Sequence, residues 1–304
     1  MTAGALPFPG AKRQDRERFR ASSILWLLPG IALMGALFVT PVVYALYLGF
    51  TNLQLLGPHA QSYQFTGTAN ITRMVHDAVF WRSVKLTAVF VIGSGIIAQT
   101  VIGMALALLM QRALAPLRLG IGAIVILAWV LPEISAAFIW YAAAQAHGTI
   151  SLMAGSPETN YLSSAPMLVV CVANAWRNTA FSMLVFSAGL RNVSEEVDEA
   201  AQLEGASYWR RLFAITIPIM RPTIVTNLLL ITLGTLSDFT LIFAMTQGGP
   251  GNDTSILPVY MYIEAFQFNE LGYGTAIALA LIVIGALFSL LYVRQLRPEL
   301  AKKK

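Results

Sequence analysis

The stretch EEVDEAAQLEGASYWRRLFAITIPIMRP, residues 195–222, is acidic, then basic, then apolar, and it stands between two long apolar runs. Its opening, EEVDEAAQLE, is made of strong helix formers. Ser194 precedes it as an N-cap, which leaves Glu195 and Glu196 where the helix dipole favours anions. Gly205 ends the run as a C′ glycine does. A second amphipathic run, 206–213, follows, and Pro218 and Pro222 punctuate the approach to the next apolar run. The stretch predicts helix, turn, helix. The chain is 57% hydrophobic and only 12% charged, where soluble domains carry about 25% charged residues. So compact a charged element in such a chain needs a reason.

The composition, with a mean hydropathy of +0.66, indicates an all-α polytopic membrane protein. A spanning helix takes roughly 20 mostly apolar residues, and six runs qualify: 24–50, 84–110, 119–142, 167–190, 223–245 and 273–293. Lys and Arg concentrate in cytoplasmic loops. The N-terminal segment carries Lys12, Arg13, Arg16, Arg18 and Arg20, and the loop after the second run carries Arg112 and Arg118. Arg191, Arg210, Arg211 and Arg221 lie between the fourth and fifth runs, and Arg294, Arg297 and Lys302 to Lys304 follow the sixth. That places 16 of 20 basic residues on one side of the six-span arrangement. Both termini are therefore expected in the cytoplasm, with a tail at 1–23, a membrane domain at 24–293, a cytoplasmic loop at 191–222 and a tail at 294–304. The basic excess is a topology signal, and no nucleic-acid partner is needed to explain it. The first apolar run is too long for the roughly 7–15-residue core of a signal peptide, so it is expected to stay as a span, kinked at Pro41. The single cysteine, Cys171, lies in an apolar run, allows no intramolecular disulfide and reads as a small hydrophobe.

The loop at 191–222 is the longest internal segment on the cytoplasmic side. A solvated connector needs only a few residues, and a folded protrusion is more simply a docking surface. Its residues carry a resemblance. Glu199-Ala200-Ala201, three residues, Gly205, nine residues, then Ile215-x-Ile217-Pro218 is similar to the E-A-A-x3-G-x9-I-x-L-P signature of binding-protein-dependent ABC import permeases, with Ile217 in place of the usual Leu. The resemblance implies that the short helix seats in a cleft of an ATPase subunit and couples ATP-driven closure to transport. It implies that Glu199 meets a basic residue there, and that Ala200, Ala201 and Gly205 permit close packing. Residues 245–278 resemble the segment before the last span of carbohydrate-type permeases, through Thr246, Gly248, Gly249, Pro250, Thr254, Tyr260, Tyr262, Ala265, Phe266, Gly272, Tyr273 and Ala276. Together the two resemblances cover about residues 24–295. They imply a heterodimer with a second, related permease, two ATP-binding-cassette ATPases that hold ATP and Mg, and an extracytoplasmic solute-binding protein or lipoprotein. They also imply residence among lipid in a bacterial or archaeal cytoplasmic membrane, and a sugar, polyol or glycerol-phosphate-like solute.

No phosphate-cradling Gly-Lys-Ser/Thr is present, since none of the five lysines follows a glycine, and there is no HExxH, CxxC or GxSxG. No catalytic residue, metal site or cofactor of its own is expected. Transport needs a polar path, and ionisable residues inside a membrane point to function. At about 1.5 Å per residue, Glu133 and Asp238 share a depth with Asn174 and Arg177, while Gln99 lies nearer the middle. Trp176, with Trp140 and Tyr141, offers aromatic faces of the kind sugars stack on. Depth alone leaves two readings, a pore lining or an Asp238–Arg177 pair that holds helices together. Pro132 allows bending, and Gly93, Gly95 and Gly103 allow close packing. Segment 52–81 is expected to hold a turn region and a short amphipathic helix, HDAVFWRSV, on the outer side, at the membrane surface or against a solute-binding protein. A stand-alone secondary transporter or channel for a small polar solute would need inverted repeats or a charge relay, and neither stands out.

Overall fold

The computed structural model describes residues 21–302. Lys12 to Arg20, Lys303 and Lys304, which support the expected topology, lie outside the described residues. The chain divides into two compact units, 1–45 and 46–304. Helix α1, Leu27–Leu48, begins in the first unit and ends in the second, and its side chains Leu27, Ile31, Leu37 and Phe38 are exposed. Pro41 lacks the N–H that a regular helix would use, and the helix winds as a π-helix over Gly35–Val39, just before it.

The second unit contains, in order, α2 Ala69–His76, α3 Ala78–Arg112, α4 Ala115–Val130, α5 Glu133–Ala144 and α6 Pro166–Leu190. There follow α7 Glu195–Leu203, α8 Tyr208–Leu236, α9 Thr240–Thr246, α10 Leu257–Tyr262 and α11 Leu271–Lys302. Among the described residues, five helices are long and apolar enough to cross a membrane, and the α4–α5 pair, bent by 103°, is a sixth if its two halves are one span.

Three local expectations change. The third span does not merely bend: it breaks at Leu131 and Pro132, both extended, because proline cannot supply the helical hydrogen bond there. The second amphipathic helix, 206–213, is not a separate element. It is the start of α8, which runs through π-wound Leu212–Thr216 and past Pro218 and Pro222. Each proline removes one donor only, and in an apolar medium a continuing helix satisfies all the others. HDAVFWRSV is not one helix either. Asp77 leaves the helical path between α2 and α3 (φ −83°, ψ 113°) and caps α3, accepting from the Val79 N–H at 2.8 Å.

Helix α6 is the hub, and small residues set its distance from α3. A Cβ on Gly103 would lie 2.5 Å from the Ser182 Cβ, and one on Gly95 would lie 3.0 Å from Thr235 Oγ1 of α8. Gly93 faces open space, so close approach explains two of the three α3 glycines singled out in the sequence. One buried core joins Phe90, Ala136, Ala137, Val170, Ala173, Leu241, Ile242 and Ile256. A second, beside the start of α3, joins Phe80, Leu257, Tyr260, Tyr273 and Ile277.

That second core is closed by a polar staple. Tyr273 donates its hydroxyl to Asp77 Oδ2 at 2.6 Å, and Tyr260 donates to the same oxygen. The Arg73 guanidinium lies 3.9 Å from the Tyr273 ring centre and pairs with Glu264 at 3.5 Å and Glu270 at 3.6 Å. Gln54 Nε2 donates to Glu270 at 3.0 Å. Burial works to raise the Asp77 pKa, but hydrogen bonds from Tyr260, Tyr273 and the Val79 and Phe80 N–H groups outweigh it and hold the carboxyl below its usual range. Burial pushes Glu264 up, with Arg73 opposing.

Candidate functional site

Three departures from regular α-helix meet at one place. The α4–α5 break presents Glu133 in the first turn of α5, where the helix dipole favours its charge. The gap between α8 and α9 presents Ser237, Asp238 and Phe239. Helix α3 is π-wound over Val91–Gln99 and presents Gln99. With Arg177, Asn178 and Phe181 of α6 and Trp129 of α4, these residues line a cavity of about 330 Å³.

The charges inside are specific in their pairing. Arg177 Nη1 lies 3.2 Å from Glu133 Oε1 and donates to Asn178 Oδ1 at 3.2 Å. Of the two readings that depth left open, the Asp238–Arg177 pair is not the ion pair formed: the α4–α5 break brings Glu133 to the guanidinium. Asp238 lies close enough for the charges of both Glu133 and Arg177 to reach it, with opposite sign. Behind Arg177 a buried amide chain braces α6 against α3: Asn178 Nδ2 donates to Asn174 Oδ1 at 2.6 Å, and Asn174 Nδ2 donates to Ser94 Oγ at 2.7 Å. Three buried polar atoms of this cavity's residues have no protein partner: Gln99 Nε2, Arg177 Nε and Asp238 Oδ1. Each such atom costs about 1–3 kcal/mol when left unsatisfied, so the cavity favours a polar occupant.

Of the five path residues read from the sequence, the fold brings Glu133, Arg177 and Asp238 to the cavity. Asn174 is fully buried behind it, as part of the brace. Trp176 lines a different, largely apolar groove and meets Trp140 edge-on, with ring centres 6.0 Å apart. The aromatic wall consists instead of Trp129, Phe181 and Phe239. Asn178 was missed in the sequence. Its signal was available, since it lies one helical turn beyond Asn174 on the same face of an apolar run.

At the far end of α8 lies the signature stretch. The turn after α7 is a Schellman motif: Gly205 N–H donates to Gln202 O at 2.9 Å and Ala206 N–H to Ala201 O at 3.0 Å, with Gly205 at φ +80°. Ser194 stands at the N-cap position, although its side chain makes no cap bond. Glu199, Ala200, Gly205 and Pro218 are exposed, and Ala201 and Ile215 are half-buried. Arg211 of α8 clamps α7, pairing with Asp198 at 2.6 Å. Arg112, at the end of α3, stacks 4.1 Å from the Tyr208 ring centre. Among the described residues no group of three or more His, Cys, Asp or Glu is placed to hold a metal ion.

The family model described as "binding-protein-dependent transport system inner membrane component" matches residues 99–297, which include the α7 turn, Arg177 and Asp238. The chain belongs to this family. It is a permease component of the inner membrane, and the family is one of transport subunits. The chain is 29% identical over 300 residues to the sulfoquinovosyl glycerol transport system permease protein SmoG of Agrobacterium fabrum, covering 92% of each chain. It is 27% identical over 277 residues to the trehalose/maltose transport system permease protein MalF of Thermococcus litoralis, covering 89% of this chain and 92% of that one. A chain of a bacterial alginate ABC transporter, solved in complex with an alginate pentasaccharide-bound periplasmic protein, shares the fold at a TM-score of 0.75 and 19% identity, covering 89% of this chain and 92% of that one.

Proposed function

We propose that this permease forms half of the import pathway for a sugar or polyol, and that the cavity between Glu133, Arg177 and Asp238 is where the solute passes. The relatives named above carry, by name, sulfoquinovosyl glycerol and trehalose or maltose, which supports a carbohydrate. In this reading both termini and α7 face the cytoplasm, the tail at 1–23 and the tail at 294–304 flank the membrane domain, and a second permease completes the pathway. Two ATPases, with their ATP and Mg, dock on the loop at 191–222, and a solute-binding protein or lipoprotein delivers cargo opposite. The observation that carries it is α8. This single helix of 29 residues, about 43 Å long at 1.5 Å per residue, joins the exposed α7–Gly205 turn at one end to Asp238 at the other. A push on α7 is thereby delivered to the cavity. A transporter working alone has no use for such a surface.

The test is a pull-down of the chain from its native membrane in mild detergent. Recovery of an ATPase with a P-loop and of a second six-span permease is expected. A chain that purifies alone and still moves solute in liposomes overturns the proposal.

A further inference from the structure

We propose that this chain's half of the cavity selects on solute charge, accepting uncharged or cationic polyhydroxylated solutes and rejecting anionic ones such as uronates and sugar phosphates. The inference rests on the reading of this cavity as the solute pathway and goes beyond it by naming the class of solute. The two relatives leave the question open, since a sulfoquinovosyl group carries a sulfonate whereas trehalose and maltose carry no charge.

The cavity has three ionisable lining residues, two carboxyls and one guanidinium. The guanidinium is held by Glu133 and Asn178 through Nη1, which leaves its Nε–H as a donor without a protein partner. It is also the more hidden member of its pair, with 15% of the Arg177 side chain exposed against 37% for Glu133. A solute entering the cavity therefore meets carboxylate before it meets guanidinium. Asp238 adds a second carboxyl, and its Oδ1 has no protein partner. These are acceptors for hydroxyl or ammonium donors. The buried Gln99, only 1% exposed, brings an unpartnered Nε2 donor that is neutral. Trp129, Phe181 and Phe239 supply π faces, which suit the apolar face of a sugar or a cation. An anion finds here a single cation, already ion-paired with the more exposed Glu133, so it must compete with that carboxylate for the guanidinium in a confined, partly desolvated site.

The experiment uses the assembled transporter in lipid nanodiscs without its solute-binding protein, so that the cavity alone is read. Equilibrium binding of radiolabelled trehalose, glucosamine and glucuronate is measured for the wild type, E133Q and D238N. Trehalose and glucosamine are expected to bind, and glucuronate at least about tenfold more weakly. E133Q releases Arg177, so the glucuronate-to-trehalose ratio should rise about tenfold. D238N should weaken glucosamine more than trehalose. Glucuronate binding as tight as trehalose in the wild type overturns the charge selection and leaves the solute pathway standing. So does a ratio that E133Q fails to move while either variant weakens trehalose. No binding of any probe, or binding that neither variant alters, overturns the assignment of the cavity itself.

Discussion

At the α7 end, Leu203 is 91% exposed and Trp209 65%, with Val197 and Phe213 open beside them and Glu199 and Ala200 facing outward. At the start of α3, some 35 residues of helix away, the aromatic side chains Phe80, Tyr260 and Tyr273 are buried, and Asp77, Glu264 and Glu270 all have partners. The charged groups of the staple are satisfied within the chain, while Val75, Trp81, Phe266 and Phe268 around it stay exposed. The α7 end leaves Glu199 and Leu203 open, with the Trp209 ring against those of its neighbours Tyr208 and Phe213, which fits the docking surface proposed above. The contrast suggests a division of mechanical labour. On the function proposed above, the stapled end is a fixed anchor, and the open end is where force enters, to be carried along α8 to Asp238.

The largest effect is expected at Gly205. Its φ of +80° suits glycine, and no atom lies near enough to crowd an added Cβ. A substitution there therefore acts through the backbone alone. Valine disfavours this conformation by about 1–2 kcal/mol and should unwind the Schellman turn that orients α7. Gly205→Val should reduce solute uptake to background with normal membrane insertion. Gly205→Asn, which tolerates the left-handed region, should keep a substantial fraction. Wild-type uptake by the valine variant would erase the distinction between the two ends.

A smaller effect is expected at the Asp198–Arg211 clamp, which ties α7 to α8. Arg211→Met should lower solute-stimulated ATP hydrolysis several-fold, since α7 would then move without dragging α8 as far. Asp198→Asn should do the same, and the double variant should be no worse than either single one, because partners in one contact are not additive. Additive losses would mean that the two residues act on the ATPase separately, and that force passes through the turn alone.

Much of this was legible in the sequence, and the reasons for the failures are physical. Five of the six apolar runs correspond to helices long enough to cross, and the third to the bent α4–α5 pair, because a bilayer demands length and apolarity from each helix. Glu133, Arg177 and Asp238 stood out because charges inside apolar runs are rare. Their pairing was not legible, since it depends on the angle at Leu131–Pro132, and a proline announces a bend without its size. Pro218 and Pro222 misled in the opposite direction: they read as a boundary in a loop, yet a helix in an apolar medium runs on through them. The lining aromatics Trp129, Phe181 and Phe239 carry no signal among so many other apolar residues. Asp77 looked like one polar residue of an amphipathic helix, and only the return of α10 and α11 to the start of α3 makes it the acceptor for two tyrosines.

The smallest effect on transport, and a clear one on stability, is expected at that acceptor. Asp77→Asn keeps the size of the side chain but weakens the bonds from Tyr260 and Tyr273 and the cap of α3. The loss should be about 2 kcal/mol, read as a lower Tm in detergent, with uptake at neutral pH close to wild type. The pH dependence gives the sign. Asp77 has a folded-state pKa below its ordinary value of 3.8, so the unfolded chain binds the proton more readily. The stability it contributes is full above that value and is lost as pH falls through the folded pKa. Glu264 is shifted the other way and contributes an opposite slope, so the informative quantity is the Tm difference between wild type and variant at each pH. That difference should be constant from about pH 5 to 8 and shrink below about pH 4. A difference that persists undiminished in acid would mean that the two tyrosines do not depend on a carboxylate, and the stapled end would owe its rigidity to its buried aromatic core instead.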